Sequence, residues 1–313
     1  MLSLVLRRLA LSVPLVIVVT ALTFALESLS PGDLARTILG ADGTEEQYQA
    51  LRHDLGLDQP MIVQYFQWLW RALHGDLGQS FFTKESVVTL IDARVGVTIS
   101  IMLGVLIVCA VLGLALGVAS ALRGGALGRA IDLLSLVGLI FPSFWVALVL
   151  ISVFAVTLRW FPATGYSSMH DGIALWAASL TLPIIAVSLH SIANVAKQAR
   201  DSMAEVLGRD FIRALRACGV SEISIVWKHA LRNAALPVVT VLGIVLVGAI
   251  SGAVFVERVF VLPGLGSLAV SAALDKDIAL LQGVTLYFTL LTVLINLAID
   301  ISYGWLNPKV RLS

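Results

Sequence analysis

The sequence predicts an all-α integral membrane protein with six transmembrane helices, and three observations carry that prediction. Apolar residues make up 58% of the 313-residue chain and charged residues 13%, with a mean hydropathy of +0.95. Soluble domains are nearer half apolar and a quarter charged. Six apolar runs, at about 9–29, 97–122, 131–158, 175–195, 236–256 and 281–305, reach the roughly 20 helical residues that about 30 Å of hydrocarbon demands. Basic residues then alternate between the segments joining those runs. The net charge of +1 says little, because in a membrane chain the placement of charge is what decides orientation. Cys109 lies in an apolar run and Cys218 in a basic segment, a pattern that argues against a disulfide framework.

The first run follows Arg7 and Arg8 and ends in Glu27, Ser28 and Pro31 without an Ala-x-Ala site, so it reads as an uncleaved helix. The N-terminus, 123–130, 196–235 and the C-terminus together hold thirteen Lys and Arg, against Arg159, Arg258 and Lys276 in the short segments opposite. The positive-inside rule places both termini in the cytoplasm. Segment 30–96 is then external. Within it GLDQPMIVQYFQWLWRALHGDLGQS is amphipathic, with Pro60 suited to a first helical turn and Gly75 to a helix end. Trp68 and Trp70 suit the headgroup level. This reads as an interfacial helix that braces the bundle, with substrate binding as the alternative.

The segment 207–237, LGRDFIRALRACGVSEISIVWKHALRNAALP, is the most basic stretch between apolar runs. Asp210 is placed to cap a short amphipathic helix that Gly219 ends in a left-handed cap; Ser221 caps a second helix with Glu222 in its first turn. A helix, a glycine turn and a helix would project from the cytoplasmic face. Phe211, Ile212, Leu215 and Val220 would need a partner surface; the alternative is a solvated loop whose arginines only enforce topology.

After the fifth run comes ERVFVLPGLGSLAVSAALDKD, opened by Glu257, where Pro263, Gly264 and Gly266 break an apolar stretch. Proline cannot donate a backbone hydrogen bond, and the glycines permit angles closed to other residues. A re-entrant segment near the outer mouth is expected, holding Phe260, Leu262 and Leu265 at the opening. Glu257 could meet an amino group of a ligand or a partner protein, or pair with Arg258 or Lys276. In the membrane, His190 and Asn194 share one helix face, and Asn296 shares another with Asp300. Such residues are functional candidates by default, or interhelical hydrogen-bond glue. The sequence holds no His/Cys metal cluster, nucleophile elbow, catalytic carboxylate pair or Gly-x-x-x-x-Gly-Lys-[Ser/Thr] loop, which argues against an enzyme.

Taken together, SPGD at 30, LGLDQP at 55, GDLGQS at 75, FPSFW at 141, FPATGY at 161, DFIRALRACGVS at 210, HALRNAALP at 229, VERVFVLPGLG at 256 and LNPKVR at 306 resemble the permease subunits of bacterial dipeptide and oligopeptide ABC importers, the peptide, opine and nickel uptake group. The resemblance covers essentially the whole chain. It departs at Leu215, where the family usually has alanine, at Cys218, where it has lysine, and at Asp277, Ile278 and Ala279, where it has Asp-Tyr-Pro.

The resemblance implies the type I ABC importer permease architecture, with 1–96 as first helix and external loop and 97–313 as a five-helix core containing the coupling segment 198–235. It implies an ATPase-coupling set of Asp210, Phe211, Ile212, Arg213, Leu215, Arg216, Gly219, Ser221 and Glu222. The implied partners are a second homologous permease subunit, two cytoplasmic ATPases, an extracytoplasmic peptide-binding protein and membrane lipid, with no nucleic acid. This chain would bind no cofactor, ATP and Mg²⁺ sitting on the ATPases, and the location would be the bacterial inner membrane. Peptide is the implied cargo, with nickel chelate, glutathione or haem as alternatives. An ion-coupled secondary transporter is the competing class, for which inverted repeats and buried carboxylate chains would be expected.

Overall fold

The computed structural model describes residues 2–29, 34–40, 44–123, 125–126, 128–133 and 141–306. The helices that position the site are α1 Leu2–Leu29, α2 Leu34–Leu39, α3 Glu45–Asp54, α4 Met61–Leu73, α5 Val87–Arg123, α6 Ser143–Thr157, α7 Ile173–Leu207, α8 Asp210–Ala217, α9 Glu222–Val259, α10 Leu265–Asp275 and α11 Ile278–Leu306. The described residues contain no strand beyond an isolated bridge between Gln79 and Ser86. Five helices, α1, α5, α7, α9 and α11, are long and apolar enough to cross a bilayer. The third run of the six falls partly on 134–140, outside the described residues, as do SPGD at 30 and the tail after Leu306; what is described of that run, 131–133 and 141–158, includes the shorter α6.

Pro14, Pro183 and Pro237 lie inside α1, α7 and α9, a use of proline that long spans tolerate because neighbouring groups satisfy the freed carbonyl. Three helices contain π-helical turns: Cys109–Gly113 in α5, Ile151–Thr157 in α6 and Ile225–Ala230 in α9. The fourth apolar run is longer than the hydropathy limits suggest, since α7 continues as one helix to Leu207.

The chain forms two compact units, one built on Thr98–Leu262 with the end of α11 from Leu294, the other on Leu6–Val97 and Pro263–Val293. In the first, α7 is central and packs against both α5 and α9. The α5–α7 approach is set by two glycines four apart. A Cβ on Gly113 would fall 2.6 Å from Val195 Cγ1, and one on Gly117 would fall 2.5 Å from Ala199 Cβ and 2.6 Å from the Ala196 carbonyl oxygen. Small residues at this spacing let membrane helices touch backbone to backbone. Arg200 fixes the far end of α7: it donates to both carboxylate oxygens of Asp132 at 3.1 and 3.2 Å and to the Gly128 carbonyl at 3.1 Å.

In the second unit, Phe24, Tyr65, Trp68, Leu77, Val87, Ile91, Leu265 and Val284 form the core. Pro60 precedes the first turn of α4, and Gly75, at φ +84°, follows it. Gly75 and Asp76 donate to the Ala72 and Arg71 carbonyls at 3.0 Å each, which closes the helix end as expected. Trp68 departs from its expected place at the headgroups: it is buried in this core, whereas Trp70 is exposed. Asp277 ties the segment after α4 to α11. Its Oδ2 accepts from the Ser80 hydroxyl at 2.5 Å and the Phe81 N–H at 3.0 Å, while Oδ1 accepts from the Leu280 N–H at 3.2 Å. Between α3 and α4, His53 and Asp58 pair at 2.8 Å. The hydrogen bond and charge of Asp58 push the His53 imidazole above its ordinary pKa.

Candidate functional site

The segment between α7 and α9 folds as a helix, a turn and a helix. Asp210 is the first helical residue of α8 and not its cap, which is Arg209 without a side-chain cap bond. The Asp210 carboxylate instead accepts from Arg213 at 3.2 Å one turn on, where it also favours the positive N-terminal end of the helix. Gly219 takes the left-handed conformation at φ +78°. Its N–H donates to the Arg216 carbonyl at 3.0 Å and that of Val220 to the Leu215 carbonyl at 3.1 Å, the paired bonds of a Schellman end. Ser221 caps the next helix by accepting from the Ser224 N–H. That second helix is not separate, for it runs unbroken through the fifth apolar run as α9.

Arg216 clamps the turn with a bidentate pair to Glu222, at 2.6 Å from Nε and 3.2 Å from Nη2. This bond to Glu222 holds the guanidinium pKa above its ordinary value. Such fork geometry fixes an angle as much as it adds energy. Arg209 pairs with Glu205 at 2.6 Å.

The apolar side chains of α8 divide into two sets. Ile212, expected to face a partner, is fully buried in a cluster with Val118, Met203, Val206, Ile225, Val226, Ala230 and Ala234. Leu215 and Val220 pack against the same cluster. The physical reason is that α8 is only two turns long and needs its own hydrophobic anchor on α5, α7 and α9. Phe211 stays exposed. Two further exposed residues were missed by the sequence reading: Ile223 at 76% and Trp227 at 60%. They lie four apart on the start of α9, so they share a face; the i, i+4 spacing directly after the Ser221 cap was the available signal.

The stretch at the end of α9 and after it differs from expectation in three ways. Glu257 lies inside α9 and is fully buried, accepting a 2.7 Å hydrogen bond from the Thr98 hydroxyl, so it does not open a loop. The left-handed residue that stops α9 is Val261, at φ +53°, with Val261 and Leu262 donating to the Arg258 and Glu257 carbonyls at 3.3 and 2.8 Å. A β-branched residue in that conformation is strained. Gly264 is extended and caps α10, at whose start Gly266 lies, so neither glycine supplies the positive angle. Phe260, Leu262 and Leu265 are buried, and the Phe260 carbonyl accepts from the Gly165 N–H of the FPATGY loop at 2.9 Å.

His190 and Asn194 meet as their spacing implies, Asn194 Nδ2 lying 2.8 Å from His190 Nε2. Asn296 is exposed on α11. Among the described residues no group of three or more His, Cys, Asp or Glu could hold a metal.

Several apolar spans, two of them joined through an anchored, capped helix turn, define a multi-pass membrane protein. Residues 110–312 match the family model described as binding-protein-dependent transport system inner membrane component, and residues 1–102 match its N-terminal companion. The chain belongs to that family, whose members are the transport components of ABC transporters, and it is a multi-pass inner membrane protein. It is 41% identical over 312 residues to a peptide transport system permease protein of Brucella abortus, covering 99% of each chain. A peptide ABC transporter permease protein of Sinorhizobium fredii is 38% identical over 98% of each. The oligopeptide transport system permease protein AppB of Bacillus subtilis is 33% identical, again over 98% of each.

Proposed function

We propose that the chain is the six-span permease subunit of an ATP-driven peptide importer, with both termini in the cytoplasm and α8 as the helix that couples it to ATPase subunits. The observation that carries this is the division of α8: Ile212 locks it to its own chain, while Phe211, with Ile223 and Trp227 nearby in sequence, is left for another protein. Family membership and the names of the relatives support peptide as the cargo. A second permease, two ATPases carrying ATP and Mg²⁺, and an external binding protein complete the machine. This chain supplies no hydrolytic step. Closure of the ATPases would move α8 as a lever, because the Arg216–Glu222 clamp and the Gly219 turn make its angle to α9 rigid; a nucleotide-biased two-state bundle follows. His190 and Asn194 are proposed to contribute to the pathway lining, as is Asn296.

The test is uptake of labelled di- and oligopeptide by the four-subunit complex in liposomes with its binding protein, alongside Gly219→Val. The wild type is expected to take up peptide with ATP inside. A valine at φ +78° costs on the order of 1 kcal/mol or more locally, and it should cut peptide stimulation of ATP hydrolysis several-fold with the complex still assembled. Uptake of a nickel chelate and no peptide would overturn the cargo; unchanged stimulation would overturn the coupling role.

We further propose that the segment Glu257, Phe260, Leu262, Pro263, Gly264, Leu265, Gly266 seals the resting pathway at its outer end. Buried positions predict a specific result. Single cysteines at 260, 262 and 265, with Cys109 and Cys218 replaced, should be nearly unreactive to a membrane-impermeant thiol reagent at rest and should label when ATP is trapped. Labelling independent of nucleotide at all three would sink the gate.

A further inference from the structure

The helix α4 carries an apolar face that the protein does not cover. At about 3.6 residues per turn, Ile62, Phe66, Trp70 and Leu73 fall within roughly a quarter of its circumference, and all four are exposed. Beside that face lies the buried one, Tyr65 and Trp68, and opposite it lie Gln64, Gln67 and Arg71. Three sectors therefore meet three environments: protein, water and something apolar.

The buried sector fixes the depth of the helix. The Tyr65 hydroxyl is 3.0 Å from the Thr20 hydroxyl and donates to the Ile17 carbonyl at 3.1 Å, and its ring meets Phe24 edge-on at 5.8 Å. Between Arg8 and Glu27, α1 has no charged residue. At about 1.5 Å per residue that interval is roughly the thickness of the hydrocarbon layer, with Ile17 and Thr20 near its middle whichever way α1 points. A tyrosine side chain reaches about 6 Å, so the axis of α4 cannot stand clear of the bilayer.

Both ends of α4 return to polar surroundings. At one lie the exposed His53 and Asp58, and just beyond the other the exposed His74 and Asp76. These placements fit a helix lying across the membrane surface at the depth at which in-plane amphipathic helices bury an apolar face, about 5–10 Å. α1, to which Tyr65 bonds, also exposes apolar side chains, among them Val18, Leu22 and Leu26. An open cleft of about 800 Å³ is lined on one side by Ile62, Phe66 and Trp70 and on its polar side by His53, Gln67 and Arg71, the mixture a phospholipid presents at its headgroup–acyl boundary.

We propose that the face of α4 bearing Ile62, Phe66, Trp70 and Leu73 is a phospholipid-binding surface, with acyl chains against these side chains and the headgroup at His53 and Arg71. It is independent of the cargo and of the ATPase partners. The experiment places a nitroxide on single cysteines at 66, 70 or 67, in the full complex with Cys109 and Cys218 replaced, in phosphatidylcholine nanodiscs. Oxygen should relax the labels at 66 and 70 several-fold more than a water-soluble nickel complex does, and the order should reverse at 67. Equal access of the nickel complex at all three positions would overturn the proposal, as would shielding of 66 and 70 from both reagents, which would mean that protein covers the face. Uptake measured on each labelled variant identifies any that has lost its native structure, and Ile62→Cys then replaces it.

Discussion

Phe211→Asp is expected to release the ATPase subunits from the complex on gel filtration, with affinity lowered more than tenfold. An aspartate in a desolvated contact strands an unpaired charge, and loss of a central aromatic anchor alone costs about 2 kcal/mol or more. Phe211 is exposed in the isolated chain, so the variant should insert and remain folded. Arg129→Ala, exposed in another connecting segment, should retain the ATPases. Ile212→Asp gives the contrasting failure: its side chain is fully buried among Val118, Met203 and Ile225, so the permease itself should be lost from the membrane fraction. Equal ATPase retention by Phe211→Asp and Arg129→Ala would return the segment to a topology signal.

The second large effect is expected at the α5–α7 contact. Gly117→Ala puts a methyl group 2.5 Å from Ala199 Cβ and 2.6 Å from the Ala196 carbonyl oxygen. The oxygen is backbone, so relief requires α7 to move bodily. Overpacking of this kind costs about 1–3 kcal/mol, and α7 also carries the Arg200 ion pair and the Ile212 cluster. Thermal unfolding of the detergent-solubilised complex should shift down by several degrees, and Gly117→Leu should abolish the monodisperse peak. Gly248→Ala on α9, where a Cβ meets nothing within 4 Å, should leave the midpoint in place. Equal midpoints for Gly117→Ala and Gly248→Ala would mean that the two helices are not held at this distance.

What the sequence determined by itself was everything that one stretch of chain settles with its own atoms. Long apolar runs must be helical in hydrocarbon, because backbone groups there have no water to bond. Gly219 ends a helix and Ser221 starts one, because a missing side chain and a nearby hydroxyl act within a few residues. His190 and Asn194 meet because they are four apart on one helix. Tertiary structure decided what depends on the opposite wall. Phe211 and Ile212 are adjacent apolar residues, and only the cluster contributed by α5, α7 and α9 makes one an anchor and the other a free surface. Val261 takes the left-handed angle that Gly264 and Gly266 were better suited to supply, because α9 ends where its packed length ends and a local preference of about 1–2 kcal/mol cannot move it. Trp68 is core and Trp70 is surface for the same reason. Residues far apart in the chain, Tyr65 with Ile17 and Ser80 with Asp277, decide how α4 and the segment after it sit. No window of sequence contains both partners, so burial and depth entered only when the helices were packed.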